Sequence, residues 1–182
     1  MSQLYKPAVD GTQNILNSCT KSNKVKVITY TSSVGTMASH HPEAGIYNES
    51  SWQNLYKLED GPYHYSKIQA EKLFLKFIED NKRFRGVVVN PGAIMGPYVN
   101  YELEKLSPYQ LEDYYMDYFP FIDVGDLAKS HELAMLNPNA KVCNGENNND
   151  VIYAPNKAKE ILGLNFTDWK DTVRDTAEQL IE

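Results

Sequence analysis

Two short β-branched runs constrain what this chain of 182 residues can fold into. The first, Val25-Lys26-Val27-Ile28-Thr29-Tyr30-Thr31, stops at Ser32-Ser33-Val34-Gly35. The second runs from Arg85 through Val87-Val88-Val89 to Asn90 and stops at Pro91-Gly92. Brief runs rich in Val, Ile and Thr and bounded by turn residues are strands. An unbroken Val-Val-Val is the pattern of a parallel strand covered on both faces. A helical pattern precedes each run. Before the first, Val9, Thr12, Leu16 and Cys19 share one face, with Ala8 and Ile15 beside them and Pro7 placed to open the helix. Gly11 within it predicts close approach to another element. Before the second, Tyr63, Lys67, Ala70, Phe74 and Phe77 make one stripe of a helix from about Tyr63 to Asp80. Helices alternating with strands predict an α/β fold with a parallel sheet.

Further helices are predicted from Pro108 to about Asp117 and from Val124 to Leu136, with Asp123 as N-cap and Asp126 as a first-turn charge. Two more run from Pro155 to Leu162, closed by Gly163, and from Thr167 to Ile181, with Trp169, Val173, Ala177 and Leu180 inward. Trp169 and the Phe74/Phe77 pair read as core. His131 reads as a packing or surface residue. The polar stretch from Met37 to Pro62 is long for a compact domain, and such loops border functional sites.

Composition excludes several classes. A hydrophobic fraction of 42% supports a core. A net charge of −6 without a Lys/Arg patch argues against nucleic acid or an anionic membrane as partner. The apolar runs are too short to span a bilayer, and no secretory pattern follows Met1. Cys19 and Cys143 lie far apart with no CxxC spacing, which fits a reducing, cytoplasmic setting. His40 and His41 lack a second ligand pair, so no metal site is expected.

The chemistry-bearing residues come in short blocks of fixed order. Thr31-Ser32-Ser33-Val34 closes the first strand, where the serines could also be simple turn residues. Tyr63-His64-Tyr65-Ser66-Lys67 is a Tyr-x-x-x-Lys, followed by Ala70-Glu71-Lys72. Asn90-Pro91-Gly92-Ala93-Ile94-Met95-Gly96-Pro97 closes the second strand, and Phe121-Ile122-Asp123-Val124-Gly125-Asp126-Leu127-Ala128 opens a later helix. Residues four apart share a helix face, so Tyr63 and Lys67 point at the same volume. A free phenol titrates near ~10 and exchanges protons poorly at neutral pH, while a neighbouring ammonium favours the phenolate.

Taken together, the blocks resemble the extended short-chain dehydrogenase/reductase superfamily. They are most similar to its dihydroflavonol reductase, cinnamoyl-CoA reductase and methylglyoxal reductase branch. Pro7-Ala8-Val9-Asp10-Gly11-Thr12 also resembles that family's helix before the Ser strand. The resemblance implies the second half of a Rossmann-like parallel sheet over residues 1–97 and a small, mostly helical substrate subdomain over 98–182. The helix 124–136 would pack back on the Rossmann part. It implies a catalytic set of Ser33, Tyr63 and Lys67. Tyr63 would exchange the proton with a carbonyl oxygen, Lys67 would hold ribose hydroxyls, and Ser33 would bond the developing oxyanion. NADP or NAD would lie against Thr31, Ser32, Tyr63, Lys67, Asn90, Pro91, Gly92, Ala93 and Ile94. The carbonyl substrate would meet Ser33, Val34, Tyr98 and Tyr101. Tyrosines through residues 98–118 suit an aromatic or polyphenolic ligand, or equally form a partly exposed helical face or a surface left bare by missing parts. Many members dimerise through the helices that correspond to 7–20 and 63–80.

One departure qualifies the implied activity. The family's glycine-rich pyrophosphate turn is absent, and no Gly-x-x-Gly-x-x-Gly occurs anywhere. The expectation is an NAD(P)H-dependent ketone or aldehyde reductase with impaired cofactor binding. The alternatives are a nucleotide-sugar epimerase or dehydratase of the same superfamily, and a non-catalytic remnant acting as an interaction module. Ser33-Val34-Gly35-Thr36-Met37 and Val88-Val89-Asn90-Pro91-Gly92 favour the reductase over the epimerase.

Overall fold

The computed structural model describes residues 2–37, 47, 51–54, 56–97, 120–140 and 156–181. Helix α1 (Ser2–Lys21) leads to strand β1 (Val27–Thr31) and a short 3₁₀ turn (Val34–Thr36). Helix α2 (Pro62–Asp80) leads to β2 (Arg85–Val89), and short strands β3 (Ala93–Met95) and β4 (Phe121–Asp123) follow. Helices α3 (Val124–Leu136), α4 (Asn156–Leu162) and α5 (Trp169–Ile181) complete the described chain.

β1 and β2 run parallel, with Val27 opposite Arg85 and Thr31 opposite Val89. The β2 side chains alternate between two helical layers, as the pleat dictates. Gly86 faces α2, where an added Cβ would lie 2.5 Å from Ile78. Val87 faces the other way and forms a buried cluster with Ala134 and Ala140, joined by Ile161 and Leu162. Helices α1 and α2 pack together on the first face. Their core is Leu16, Ile68, Ala70 and Phe74, with Tyr30 of β1 stacked on Phe74 at 5.0 Å. The sheet is thus covered on both faces, as the Val-Val-Val run predicts.

Two arginines at the start of β2 fasten the helices on either side. Arg83 donates to the carbonyls of Cys19, Thr20 and Ser22 beyond the end of α1. Arg85 donates to Ala134, Met135 and Ala140 at the end of α3. Each guanidinium gathers carbonyls of a helix's last turn and of the residues just after it, and complements the negative end of the dipole. Asp123 caps α3 as predicted, accepting from the amides of Gly125 and Asp126. Its other oxygen accepts from Thr172, while Asp126 accepts from the amide and hydroxyl of Thr167. These bonds seat α5 against the start of α3.

Several expectations are corrected. Pro7 lies inside α1, which begins at Ser2. The bond that proline forfeits is to the carbonyl of Gln3, an exposed residue of the first turn. Gly11 has nothing within 4 Å of a hypothetical Cβ, so it marks no close approach. Ile15 is 64% exposed and Trp169 57% exposed. The inward face of α5 is Thr172 and Thr176, and Ala177 is exposed. Thr176 returns its hydroxyl to the Thr172 carbonyl and Thr172 bonds Asp123, so both can be buried without losing a partner. Phe121–Asp123 is a strand before the helix, paired in parallel with Ala93–Met95. Three-residue strands carry too little periodicity to be seen in sequence. The helix expected over 108–117 lies outside the described residues.

Candidate active site

The site forms where β1 and β2 end. Ser32 continues the ladder by donating its amide to Val89, and Val34 donates to the Pro91 carbonyl at 3.0 Å. Residues 32–37 are all buried. Ser33 is extended and caps the 3₁₀ turn, its hydroxyl oxygen accepting from the Gly35 amide at 3.1 Å. Gln53 closes over the turn, donating its amide to Thr36 and its side chain to Gly35. The turn after β2 is as constrained. At Gly92 an added Cβ would fall 1.9 Å from the Pro120 carbonyl oxygen, to which Ala93 donates its amide. Only glycine lets the chain before β4 come this close.

Helix α2 approaches these strand ends. It starts with Pro62 in the first turn, where proline costs nothing. Tyr63, Lys67 and Glu71 follow at intervals of four and lie along one face. Tyr63 is 38% exposed, the access that a group exchanging protons with a ligand requires. The Lys67 ammonium sits 6.0 Å from the centre of its ring. The next residue, His64, is buried, stacks on Tyr56 at 4.6 Å and meets Tyr63 edge-on. An added Cβ at Gly35 would lie 2.7 Å from the His64 ring, so glycine permits α2 to close on the turn.

The centre of the network is a residue to which sequence reading assigned no role. Glu71 is 6% exposed. One of its carboxylate oxygens, Oε2, accepts from the Ser32 hydroxyl, the Thr36 hydroxyl (3.0 Å) and the Asn90 side-chain amide (3.0 Å). Asn90 also reaches the Ser33 carbonyl and the Thr36 hydroxyl. Burial pushes the Glu71 carboxyl above the usual carboxylate range, while these three bonds and the Lys67 charge oppose the rise. Burial pushes Lys67 below the usual lysine range, and Glu71 opposes that fall. Tyr30 is raised, first by burial, then by the charges of Glu71 and Tyr63, with a Thr12 hydrogen bond opposing. An acid eight residues after a tyrosine and four after a lysine, on a stripe otherwise leading into core, is the signal that could have found Glu71.

The remaining predicted residues distribute unevenly. Thr31 is exposed and shares a 2.8 Å hydrogen bond with His131 Nε2, whose Nδ1 lies 2.8 Å from the Leu127 carbonyl. A carbonyl only accepts, so Nδ1 carries a proton, and in the neutral ring Nε2 then accepts from the Thr31 hydroxyl. His131 thus ties α3 to the end of β1. Ser33 and Val34 are buried, and Ile94 on β3 is exposed. Tyr98 and Tyr101 lie outside the described residues, as do His40 and His41. Among the described residues no three His, Cys, Asp or Glu side chains gather as a metal site would need.

Residues 1–117 match the model of the 3-beta hydroxysteroid dehydrogenase/isomerase family. The chain is 26% identical over 240 residues to an oxidoreductase of Saccharomyces cerevisiae, covering 97% of this chain and 69% of that one. It is 28% identical over 153 residues to dihydroflavonol 4-reductase of Callistephus chinensis, covering 77% of this chain but 42% of that enzyme. The chain therefore spans less than half of the plant relative. Its fold matches yeast methylglyoxal/isovaleraldehyde reductase Gre2, solved with NADPH, with a TM-score of 0.73 and 24% sequence identity. That match covers 97% of this chain and 70% of the yeast enzyme, and shows the Rossmann-like arrangement of helices and parallel strands.

Proposed function

Because this chain belongs to the 3-beta hydroxysteroid dehydrogenase/isomerase family, we propose that it carries the proton-handling side of an NAD(P)-dependent ketone or aldehyde reductase. The observation that supports this most is the single face of α2 bearing Tyr63, Lys67 and Glu71, bonded through Glu71 to the ends of both strands. Ligands of open α/β sheets bind outside the carboxyl ends of the strands.

The nicotinamide cofactor, when bound, supplies hydride to a carbonyl carbon. The residues present fit its nicotinamide end: Gly92 leaves backbone without a side chain at the strand end, and Lys67 offers a cation to hydroxyls. No residues fit the pyrophosphate in the glycine-rich manner of the family, since that motif is absent from the sequence. Tyr63 gives its phenolic proton to the carbonyl oxygen, completing the alcohol, and takes a proton back in the reverse direction. The Lys67 ammonium lies 6.0 Å from the centre of the Tyr63 ring, beside the group that has given up its proton. The Ser33 hydroxyl oxygen accepts from the Gly35 amide, and its own proton is the one this reading gives to the developing oxyanion. A dihydroflavonol-like aromatic ketone is the substrate class proposed, on the likeness to the plant reductase.

The test is NADPH oxidation by the full chain with aromatic ketones and short aldehydes, for the parent and Tyr63→Phe. The expected result is a loss of about a hundredfold or more in turnover, the usual contribution of general acid catalysis. Unchanged turnover in Tyr63→Phe would overturn the assignment.

A further inference from the structure

We propose that Glu71 is the positioning residue of this site: its buried carboxylate fastens α2 to the ends of β1 and β2 and holds a negative charge one helical turn from Lys67. The inference rests on the reductase reading for its catalytic meaning and on geometry for the rest.

A carboxylate that nearly leaves water is expensive to bury unless hydrogen bonds replace its hydration. Here the replacement comes from three separate elements: Ser32 after β1, Thr36 in the 3₁₀ turn and Asn90 after β2. All three meet Oε2, where Ser32 and Asn90 donate and Thr36 shares its single proton between Oε2 and the Ser33 carbonyl, a set that suits an anion better than a neutral acid. The donors are themselves tied together, since Thr36 also reaches the Ser33 carbonyl at 2.9 Å and Asn90 reaches it at 3.2 Å. Removing Glu71 would take the acceptor from the Ser32 hydroxyl and leave Thr36 and Asn90 held only by their bonds to the Ser33 carbonyl and to each other. Those groups flank Ser33. On the helix side, Lys67 lies four residues before Glu71 and Tyr63 four before Lys67, so the one anchored residue sets the depth and rotation of all three.

The titratable groups that bear on Glu71 are few. Lys67 faces it from its own helix and Tyr30 from β1, and Tyr30 also feels Tyr63. The 3₁₀ turn and the end of β2 present the hydroxyls and amide already named. Lys67 is therefore the opposing charge to Glu71, and each favours the other's ionised form. An ammonium pressed out of water keeps its proton to higher pH with a carboxylate nearby.

The experiment follows the Lys67 side chain by carbon-13 NMR in the full lysine-labelled chain, without cofactor or substrate, its signal assigned through Lys67→Arg. In Glu71→Gln the amide keeps an acceptor but no charge, and the Lys67 titration midpoint is expected to fall. In Glu71→Asp the charge returns and the midpoint is expected to recover in part. An unmoved midpoint in a folded Glu71→Gln chain overturns the proposal. Should Glu71→Gln not fold, the reciprocal measurement decides: the Glu71 carboxyl, followed in Lys67→Gln, is expected to titrate at higher pH, and no change overturns the proposal. Neither measurement needs turnover, so the outcome of the carbonyl assay leaves this result untouched. With turnover, the alkaline limb of the kcat profile is expected to move to lower pH in Glu71→Gln. A uniform drop with no shift in the limb would contradict the positioning role.

Discussion

At the scale of single residues, the site places opposite demands on folding through Glu71 and Lys67. The folded Glu71 carboxyl titrates above its ordinary range because it is buried. Between the unfolded value, about 4.3, and the raised folded value, the native chain binds more protons than the unfolded one. Its contribution is therefore most favourable below that window and is lost as pH rises through it. Lys67 titrates below its ordinary range. From its lowered value up to about 10.4 the unfolded chain binds more protons, so stability rises with pH across that alkaline window. Urea unfolding at a series of pH values checks both signs: Glu71→Gln is expected to lose the acid-side slope and keep the alkaline one. The glycines make a second residue-scale prediction. At Gly92 an added Cβ meets backbone, the Pro120 carbonyl, whereas at Gly86 it meets the Ile78 side chain, which can turn away. Gly92→Ala is expected to destabilise by about 3 kcal/mol or more, at or beyond the usual range for overpacking, and Gly86→Ala by less. Equal denaturation midpoints for the two would refute the ranking.

Among the elements, β4, α3 and α5 meet at the start of α3. Asp123 ends β4, caps α3 with one oxygen and receives Thr172 of α5 with the other. Loss of an N-cap typically costs about 1 kcal/mol. Asp123→Ala also leaves the buried Thr172 hydroxyl without its acceptor, a further penalty of about 1–3 kcal/mol. We expect Asp123→Ala to be clearly more damaging than Thr172→Val, which removes donor and hydroxyl together and leaves the cap intact. Thermal unfolding of the two variants tests this, and equal losses would mean that the cap contributes nothing. The exposed ion pairs Lys76–Asp80, Lys129–Glu132 and Arg174–Asp171 decide far less, because solvent screens them.

For the molecule as a whole, two features bear on association. Helices α1 and α2 pack together, and α1 leaves Leu4 and Ile15 exposed. Among the described residues β1 pairs with β2 on one side, and its other edge carries no strand. An uncovered edge invites pairing. Burial stabilises by about 25 cal/mol per Å² of apolar area, enough at an interface of ordinary size to offset the entropy of association. A homo-oligomer, a dimer through α1 and α2, or an aggregation-prone chain is the expected outcome, and light scattering at micromolar concentration checks it: a clean, soluble monomer would show that neither surface associates. The cofactor prediction belongs to this scale too. With no glycine-rich turn in the sequence, the isolated chain is expected to bind NAD(P)H weakly or not at all. Nicotinamide fluorescence reporting low-micromolar affinity would refute that. No helix among the described residues is long and apolar enough to cross a membrane.

Local pattern was enough for several features. The β-branched runs specified β1 and β2, Tyr-x-x-x-Lys specified a shared helix face, and Asp123 announced the start of α3, because strand period, helix period and capping act over a few residues. The order of the blocks made the reductase family legible. Contacts between distant segments were not legible. Sequence showed Glu71 only as the residue after Ala70; its role depends on Ser32, Thr36 and Asn90 arriving around it from three other elements. Periodicity pointed Trp169 inward, yet Thr172 and Thr176 are buried, because Asp123 offered a partner that no pattern within α5 encodes. Gly11 looked like a contact and is open, while Gly92 looked like a turn and lies against Pro120. Short-range rules fix which segments are helix or strand, but a buried polar group takes its meaning from the donors that the packed fold brings to it.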